Sequence, residues 1–394
     1  MTSPERPDRM KVASRLPNDL RLDLKAAAAV RHLDLQDVIS DAITQWCRTS
    51  PLPHLDTSKS SSFGTWLPPG VWQRLEAECQ KRGISYVQGL AQAVHFWLQQ
   101  HPSPRQELGM HIPQRKIIAN QKGGVGKTAV SAGLAQAYAE GTEYVEEGTD
   151  HKGFGLRVLV VDFDPQGHLS KQFGFEPLPM GGDTLVKHMT KKPEGDIKDL
   201  LIPVKDERFG DRLFLLPASA DGFMLDVGLT ADPTIRVREA TLQQALEPLE
   251  ADFDMIIIDC PPSLGLAMDT ALYYGRRRPG EAAGVSGVLI PVEAEDSSAD
   301  AFTLLTGQIE SLRRDMRLTI EYLGLVVNKY DSRRGYIATS SLEQWQAMED
   351  PHVVGVLQDR KEQREAVRAK EGLLAYAPKS VQAAMMREIA RNLS

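Results

Sequence analysis

The sequence predicts an α/β protein, a parallel sheet flanked by helices, preceded by a small α+β module built from two tandem copies of one unit. Three observations carry this. From residue 116 onward, apolar strands alternate with helical segments, the pattern of a sheet covered on both faces. A glycine-rich loop, NQKGGVGKTAV at 120 to 130, lies between the first of those strands and the first helix. The first hundred residues match themselves at an offset of 51 positions.

The repeat places Leu16 on Leu67, Pro17 on Pro68, Leu24 on Leu75 and Arg31 on Arg82 without a gap. It continues through Leu33 and Ile84, Ile39 and Leu90, Ala42 and Ala93, Ile43 and Val94, and Trp46 and Trp97. Each unit, about 10 to 48 and 61 to 99, reads as a short extended segment, a proline opening a first helix near its first position, a turn ending on an N-cap residue (Asp34 or Ser85), and a second helix. Apolar residues three and four apart, such as Leu20 and Leu24 or Val38, Ile39, Ala42, Ile43 and Trp46, support both helices. In these features the segment resembles the ribbon-helix-helix family of DNA-binding proteins, whose strands pair into an antiparallel ribbon that enters the major groove. The resemblance implies that Lys11, Ala13 and Arg15 face bases in the first unit, whereas the matching Ser62, Gly64 and Trp66 are poor base readers. Pairing within one chain and pairing between chains are both open, and so is a dimerisation module without DNA contact. Pro51, Pro53 and the SKSSS run at 58 to 62 read as the connection between units, and 106 to 115 as the linker between a first domain, 1 to 105, and a second, 116 to 394.

In the second domain KIIAN is a strand entering the loop and TAVSAGLAQAYAE the helix leaving it; RVLVVDFD, DMIIIDCPP, GVLIPVE and LGLVVNKYD are further strands. Sheets of this kind bind ligands at the carboxyl ends of their strands, where the polar motifs fall. Gly123, Gly124 and Gly126, with Val125 and Ala129 in the same run, let backbone N–H groups close around phosphate oxygens beside a helix N-terminus. Lys127 would reach the β and γ phosphates and Thr128 would ligate magnesium. The standard pattern GxxxxGK(S/T) fails at its first glycine, because position 121 is Gln, and a second lysine, Lys122, precedes the glycines.

Composition sets outer bounds. The chain has 394 residues, 42% of them apolar and 25% charged, which fits two or three domains with true cores and excludes a disordered class. A net charge of −7 argues against coating nucleic acid, so any DNA contact must be regional. Cys47, Cys79 and Cys260 form no CxxC pair and no disulfide framework, so a reducing, cytoplasmic compartment is expected. The N-terminal residues lack the apolar stretch of a leader, and no apolar run reaches the length of a bilayer span.

KGGVGKT matches the deviant Walker A motif, xKGGxGK(S/T), of the ParA/MinD ATPases, within the P-loop NTPases. VVDFDPQGHLS (160 to 170) and IIIDCPPSLG (256 to 265) match two more of that family's segments, with His168 replacing the usual Asn; LLPAS and VLIPVEAE also resemble it. The likeness covers about 114 to 394. It implies a Mg2+-dependent ATPase that forms a homodimer around ATP, with Lys122 reaching the partner's phosphates. It also implies that Asp259 holds a magnesium-bound water, that Asp162 stands in the second magnesium shell, and that Asp164 positions the attacking water. Among the family's branches the resemblance is to ParA, which implies double-stranded DNA, a ParB-like centromere-binding partner, slow hydrolysis without it, and nucleoid association. The C-terminal SVQAAMMREIARNLS fits a packed helix better than the membrane anchor of the MinD branch.

NKYD at 328 to 331 spells the guanine-reading NKxD of GTPases, but the surrounding motifs favour ATP; Asn328 is the expected base contact in either case. Family DNA binding implies roles for Arg333 and Arg334 after that strand, and for Arg360, Lys361, Arg364 and Arg368 on a later helix, where 360, 364 and 368 share a face. Two insertions, the acidic 140 to 155 and the basic 275 to 287, read as solvated loops, a partner contact being the other reading. The function expected is DNA partitioning; positioning of another cargo, and an ATP-switched transcription regulator, are the rivals.

Overall fold

The computed structural model describes residues 9–31, 33–49, 52–57, 60–102, 112–146, 148–279, 281–295 and 297–394. It divides into two compact units: 1–111 with 278–283, and 112–277 with 284–394. Pro51 and part of the SKSSS run fall outside the described residues, as does most of the linker.

In the first unit, β1 (Met10–Pro17), α1 (Asn18–Val30) and α2 (Leu35–Trp46) are followed by β2 (Ser60–Leu67), α3 (Val71–Arg82) and α4 (Tyr86–Gln100). The two strands pair antiparallel within this one chain, Met10 opposite Leu67 and Pro17 opposite Ser60. This register places Ala13 opposite Gly64, its own mate in the repeat, Lys11 opposite Trp66, the mate of Arg15, and Arg15 opposite Ser62, the mate of Lys11. The ribbon therefore has a local two-fold axis between Ala13 and Gly64. Period-two alternation turns Val12, Leu16, Phe63 and Leu67 inward and exposes Lys11, Ala13, Arg15, Ser62, Gly64 and Trp66. Repeat mates fill one core: Leu24 with Leu75, Ile39 with Leu90, Ile43 with Val94 and Trp46 with Trp97 are all buried. Asp34 and Ser85 cap α2 and α4, accepting from the N–H of Gln36 at 2.8 Å and of Gln88 at 3.2 Å.

One detail differs from the sequence reading. Pro17 stands at the N-cap of α1, next to its first helical position, whereas Pro68 lies ahead of Gly70, the N-cap of α3.

The second unit holds β3 (Gln114–Ile118), β4 (Val158–Asp162), β5 (Ile202–Pro203), β6 (Leu213–Leu216), β7 (Met255–Asp259), β8 (Gly287–Glu293), β9 (Tyr322–Tyr330) and β10 (Val353–Gln358) in one sheet, ordered β10-β9-β8-β3-β7-β4-β6-β5. Every neighbouring pair is parallel except β5 with β6. The inner strands are buried on both faces, which explains their unbroken apolar runs. β3 takes in Gln114 and Arg115, which the sequence assigns to the linker.

Helix α5 (Lys127–Ala139) is buried nearly all round. Its Gly133 lets Met386 of the C-terminal helix α7 (Val381–Asn392) approach so closely that a Cβ would stand 2.7 Å from the sulfur; α6 (Lys361–Ala369) precedes α7. Tyr138 donates to the carbonyl of Ala390 at 3.0 Å, and Ala383, Met386, Ile389 and Ala390 are buried, so α7 spends its apolar face on packing. Among the described residues no helix is long and apolar enough to cross a membrane.

The acidic 140 to 155 segment is largely solvated, with 143, 145 and 148–152 exposed, as the sequence suggests, but it opens on a buried ion network. Glu140, 3% exposed, accepts from Arg387 through both carboxylate oxygens at 2.7 Å and from Arg208 at 2.7 Å. Arg391 pairs with Glu146 at 2.9 Å. In the basic 275 to 287 segment, Arg276 donates to Gln243 at 2.8 Å and Arg277 pairs with Glu321 at 3.1 Å.

Candidate nucleotide site

The loop runs from the end of β3 at Ile118 to Lys127, where α5 begins. Gly124 and Gly126 adopt φ of +81° and +93°, the left-handed region that glycine enters without strain. Gly126 has a second reason: a Cβ there would lie 1.9 Å from Nδ2 of Asn328. That amide, on β9, donates to the carbonyl of Val125 at 2.9 Å, and the neighbouring Lys329 donates to the carbonyl of Gly124 at 2.6 Å. Asn120 holds the other flank, donating to the carbonyl of Pro291 at 2.7 Å and accepting from the N–H of Lys122 at 2.9 Å. β8 and β9 thus shape the loop from outside.

The two lysines point to different places. Lys127, 6% exposed, turns into the loop and donates to the carbonyl of Lys122 at 3.1 Å; burial pulls its pKa below the usual lysine range, with the Asp259 charge opposing. Lys122 lies 3.1 Å from Glu293 and 3.4 Å from Glu295. Glu293 also pairs with Lys329 at 3.0 Å. Burial pushes the Glu293 carboxyl up, but its bonds from Lys329 and Lys122 outweigh burial and hold it below the usual range.

The carboxylates meet because β4 and β7 run side by side with Asp162 opposite Asp259. Asp259 accepts from Thr128 Oγ1 at 2.8 Å and from Ser131 Oγ at 2.9 Å. Asp162 accepts through Oδ2 from the N–H and the hydroxyl of Ser170, both at 2.7 Å, while its buried Oδ1 has no hydrogen-bond partner. Burial pushes Asp162 up to about 6 against the Ser170 bonds. Asp259 rises to about 7, by burial first and by the Asp162 charge second, against the Thr128 and Ser131 bonds. Two buried acids with one orphaned oxygen form a place that a cation neutralises. Asp164 is buried just beyond and accepts from the N–H of Gln166 at 3.0 Å. Beside these acids opens a cavity of about 330 Å³, lined by Asp162, Asp164, Gln166, Ser219, Phe223 and Pro262 among others.

The structure therefore brings together Gly123 to Thr128, Asp162, Asp164, Asp259 and Asn328. The basic residues read as DNA contacts lie elsewhere: Arg333 is bound by Asp331 at 2.9 Å, Arg364 by Asp359 at 2.9 Å and Lys361 by Glu365 at 3.5 Å. Arg360 is the N-cap of α6 and donates to Gln358 at 2.9 Å; Arg368 is exposed, and the side chain of Arg334 is outside the described residues. Sequence reasoning missed Ser131, Ser170, Glu293 and Lys329 as parts of the site. For Glu293 and Lys329 the signal was present, since both stand at the carboxyl ends of strands already quoted, in VLIPVEAE and NKYD.

A family model described as an AAA domain matches residues 115–322. An uncharacterized protein of Mycobacterium tuberculosis (strain H37Rv) is 30% identical over 293 residues, 74% of this chain and 81% of that protein. The chromosome partitioning protein ParA of Myxococcus xanthus is 32% identical over 216 residues, 55% of this chain and 65% of that protein. The sporulation initiation inhibitor protein Soj of Bacillus subtilis is 32% identical over 223 residues, 55% and 74% respectively. Among solved structures, an ATP complex of a Cyanothece McdA variant has the same fold, with a TM-score of 0.54 at 18% identity over 71% of this chain and 97% of that one. Cobyrinic acid a,c-diamide synthase of Mycobacterium smegmatis, solved with an ATP analog and magnesium, gives 0.51 at 26% identity over 71% and 93%. Loop, paired carboxylates and relatives agree, and the chain belongs to the ParA family of P-loop ATPases.

Proposed function

We propose that this chain is a DNA-partitioning ATPase whose working form is an ATP-bound homodimer. The observation that carries the reading is the divergence of the two lysines. Lys127 turns inward, where bound phosphates would lie, while Lys122 is held by Glu293 and Glu295, 3.1 Å and 3.4 Å off. A cation held outside its own phosphate loop is placed to serve a neighbour's nucleotide, and this couples chemistry to dimerisation.

The site fits Mg2+ and ATP. The Thr128 hydroxyl would supply a hard oxygen donor, and the Asp259 carboxylate and the orphaned Asp162 Oδ1 would accept from the metal's waters. When bound, magnesium neutralises phosphate oxygens. Backbone N–H groups of Gly123 to Ala129 bind the phosphates, Lys127 compensates their charge, and Asp164 orients the water that attacks, giving ADP and phosphate. ATP is favoured over GTP because Asp331, the carboxylate a guanine-reading NKxD motif needs, accepts instead from the side chain and the N–H of Arg333, at 2.9 and 3.0 Å.

Double-stranded DNA enters at two places: a nonspecific face carrying Arg333, Arg334, Arg360, Lys361, Arg364 and Arg368, and the N-terminal ribbon, read as a ribbon-helix-helix element through Lys11 and Arg15. The exposed ion pairs on the first face are cheap to break. A ParB-like partner would then stimulate hydrolysis and release the dimer, and nucleoid association follows from the DNA contacts. Sedimentation with ATP and with ADP tests the core of this. A dimer with ATP only, lost in Lys122→Ala and long-lived in Asp164→Ala, is expected; a nucleotide-independent oligomer would overturn it.

A further inference from the structure

The N-terminal ribbon combines a symmetric backbone with an asymmetric face. Its local two-fold axis passes between Ala13 and Gly64, so each outward position on β1 has a symmetry mate on β2: Lys11 with Ser62, and Arg15 with Trp66. All six outward positions of the ribbon are exposed, and none is acidic, on a chain whose net charge is −7. The middle of the face is small. At Gly64 a Cβ would meet nothing within 4 Å, so Ala13 and Gly64 leave a flat centre between one end that carries Lys11 and Trp66, the latter 47% exposed, and another that carries Arg15 and Ser62.

We propose that this ribbon reads a non-palindromic site in duplex DNA, with base contacts to purines from β1 and an apolar contact from Trp66. The inference rests on the reading of the ribbon as a DNA-binding element. A two-stranded ribbon fits the major groove, where arginine and lysine reach guanine O6 and N7 and apolar side chains meet the thymine methyl. A symmetric dimer offers the same residues from both strands, and its operator is accordingly palindromic. Here the second strand offers Ser62 and Trp66 where the first offers Lys11 and Arg15. Each end of the ribbon therefore keeps one cationic reader, Lys11 beside Trp66 at one end and Arg15 beside Ser62 at the other, and because the two ends are unlike, dyad symmetry in the bound sequence has no cause.

The test is selection of bound duplexes from a random-sequence pool by the full-length protein with ADP, followed by sequencing. Wild type should enrich a motif without dyad symmetry, and Arg15→Ala should lose roughly 10- to 100-fold of the preference at one base pair. The double variant Ser62→Lys/Trp66→Arg changes two exposed positions and gives both ends one lysine and one arginine, so its motif should become palindromic. A palindromic wild-type motif, or a double variant whose motif keeps its asymmetry, would overturn the inference while leaving the ribbon a DNA reader. No enrichment by either protein, with thermal unfolding unchanged, would overturn the DNA-binding reading as well.

Discussion

Lys122 and Glu293 of the same chain are 3.1 Å apart, and the same Glu293 holds Lys329, which in turn donates to the loop carbonyl of Gly124. One carboxylate thus restrains the lysine assigned to the partner's nucleotide and braces the chain's own loop. Glu293→Gln removes the charge that holds Lys122 at home. Partly exposed ion pairs are worth about 1 kcal/mol at most, so the ATP-dependent dimer should form at several-fold lower protein concentration. Sedimentation across a concentration series checks this, at nucleotide concentrations that saturate both proteins so that any loosening of the loop through Lys329 does not enter the comparison.

Asp162 and Asp259 give a pH dependence whose sign can be worked out. Their folded pKa values, about 6 and about 7, lie above the ordinary value near 3.9 of an unfolded aspartate. The folded state therefore binds more protons than the unfolded one across that window. The nucleotide-free protein loses stability from this pair as pH rises from about 4 to about 7, and the penalty is complete above. Denaturant unfolding at pH 5.5 and pH 8 should show a smaller difference in Asp162→Asn than in wild type, the variant gaining most at pH 8.

Gly126→Ala meets two separate obstacles. Its φ of +93° costs an L-residue roughly 1–2 kcal/mol, and the new methyl collides with Asn328. Nucleotide affinity should fall at least tenfold by titration of a fluorescent ATP analogue. Adding Asn328→Ala should recover some thermal stability, because the collision goes, but not the affinity, because the backbone cost and the lost bond to Val125 remain.

Glu140 is buried between Arg387 and Arg208. Removing one partner of a buried pair strands the other charges, at a cost of about 3–5 kcal/mol. Glu140→Ala should lower the unfolding free energy of the ATPase unit by that order, read as a fall in its urea midpoint, while Glu143→Ala, whose side chain is 59% exposed, should change it little.

The sheet's inner strands were legible because burial on both faces writes continuous apolar runs, and the loop because phosphate binding needs glycines in a fixed order. β5, β6 and β10 were not. β5 has two residues and β6 four, too short for a period to show, and β10 carries Gly355 in mid-strand, where a Cβ would lie 2.3 Å from Ile389. The resemblance to the ribbon-helix-helix family, carried to the second unit by the offset of 51, pointed to the ribbon residues that face outward; it left pairing within the chain open, and the register closes it. Glu293 stood in plain view at the end of a strand, but strand order, which brings it to Lys122, has no local signature; Ser170 escaped notice because the turn after β4 that brings it to Asp162 has none either. The buried ion network at Glu140 was hidden likewise, since its partners Arg208 and Arg387 are distant in sequence.

The most direct test of the central proposal is binding of the purified protein to random-sequence duplex DNA with ADP, ATP and GTP, wild type against Lys122→Ala, across a salt series. ATP-dependent binding that falls steeply with salt and is lost in the variant is the expected result. Binding indifferent to nucleotide and to the substitution would contradict a partitioning ATPase and leave the N-terminal ribbon as the principal DNA contact.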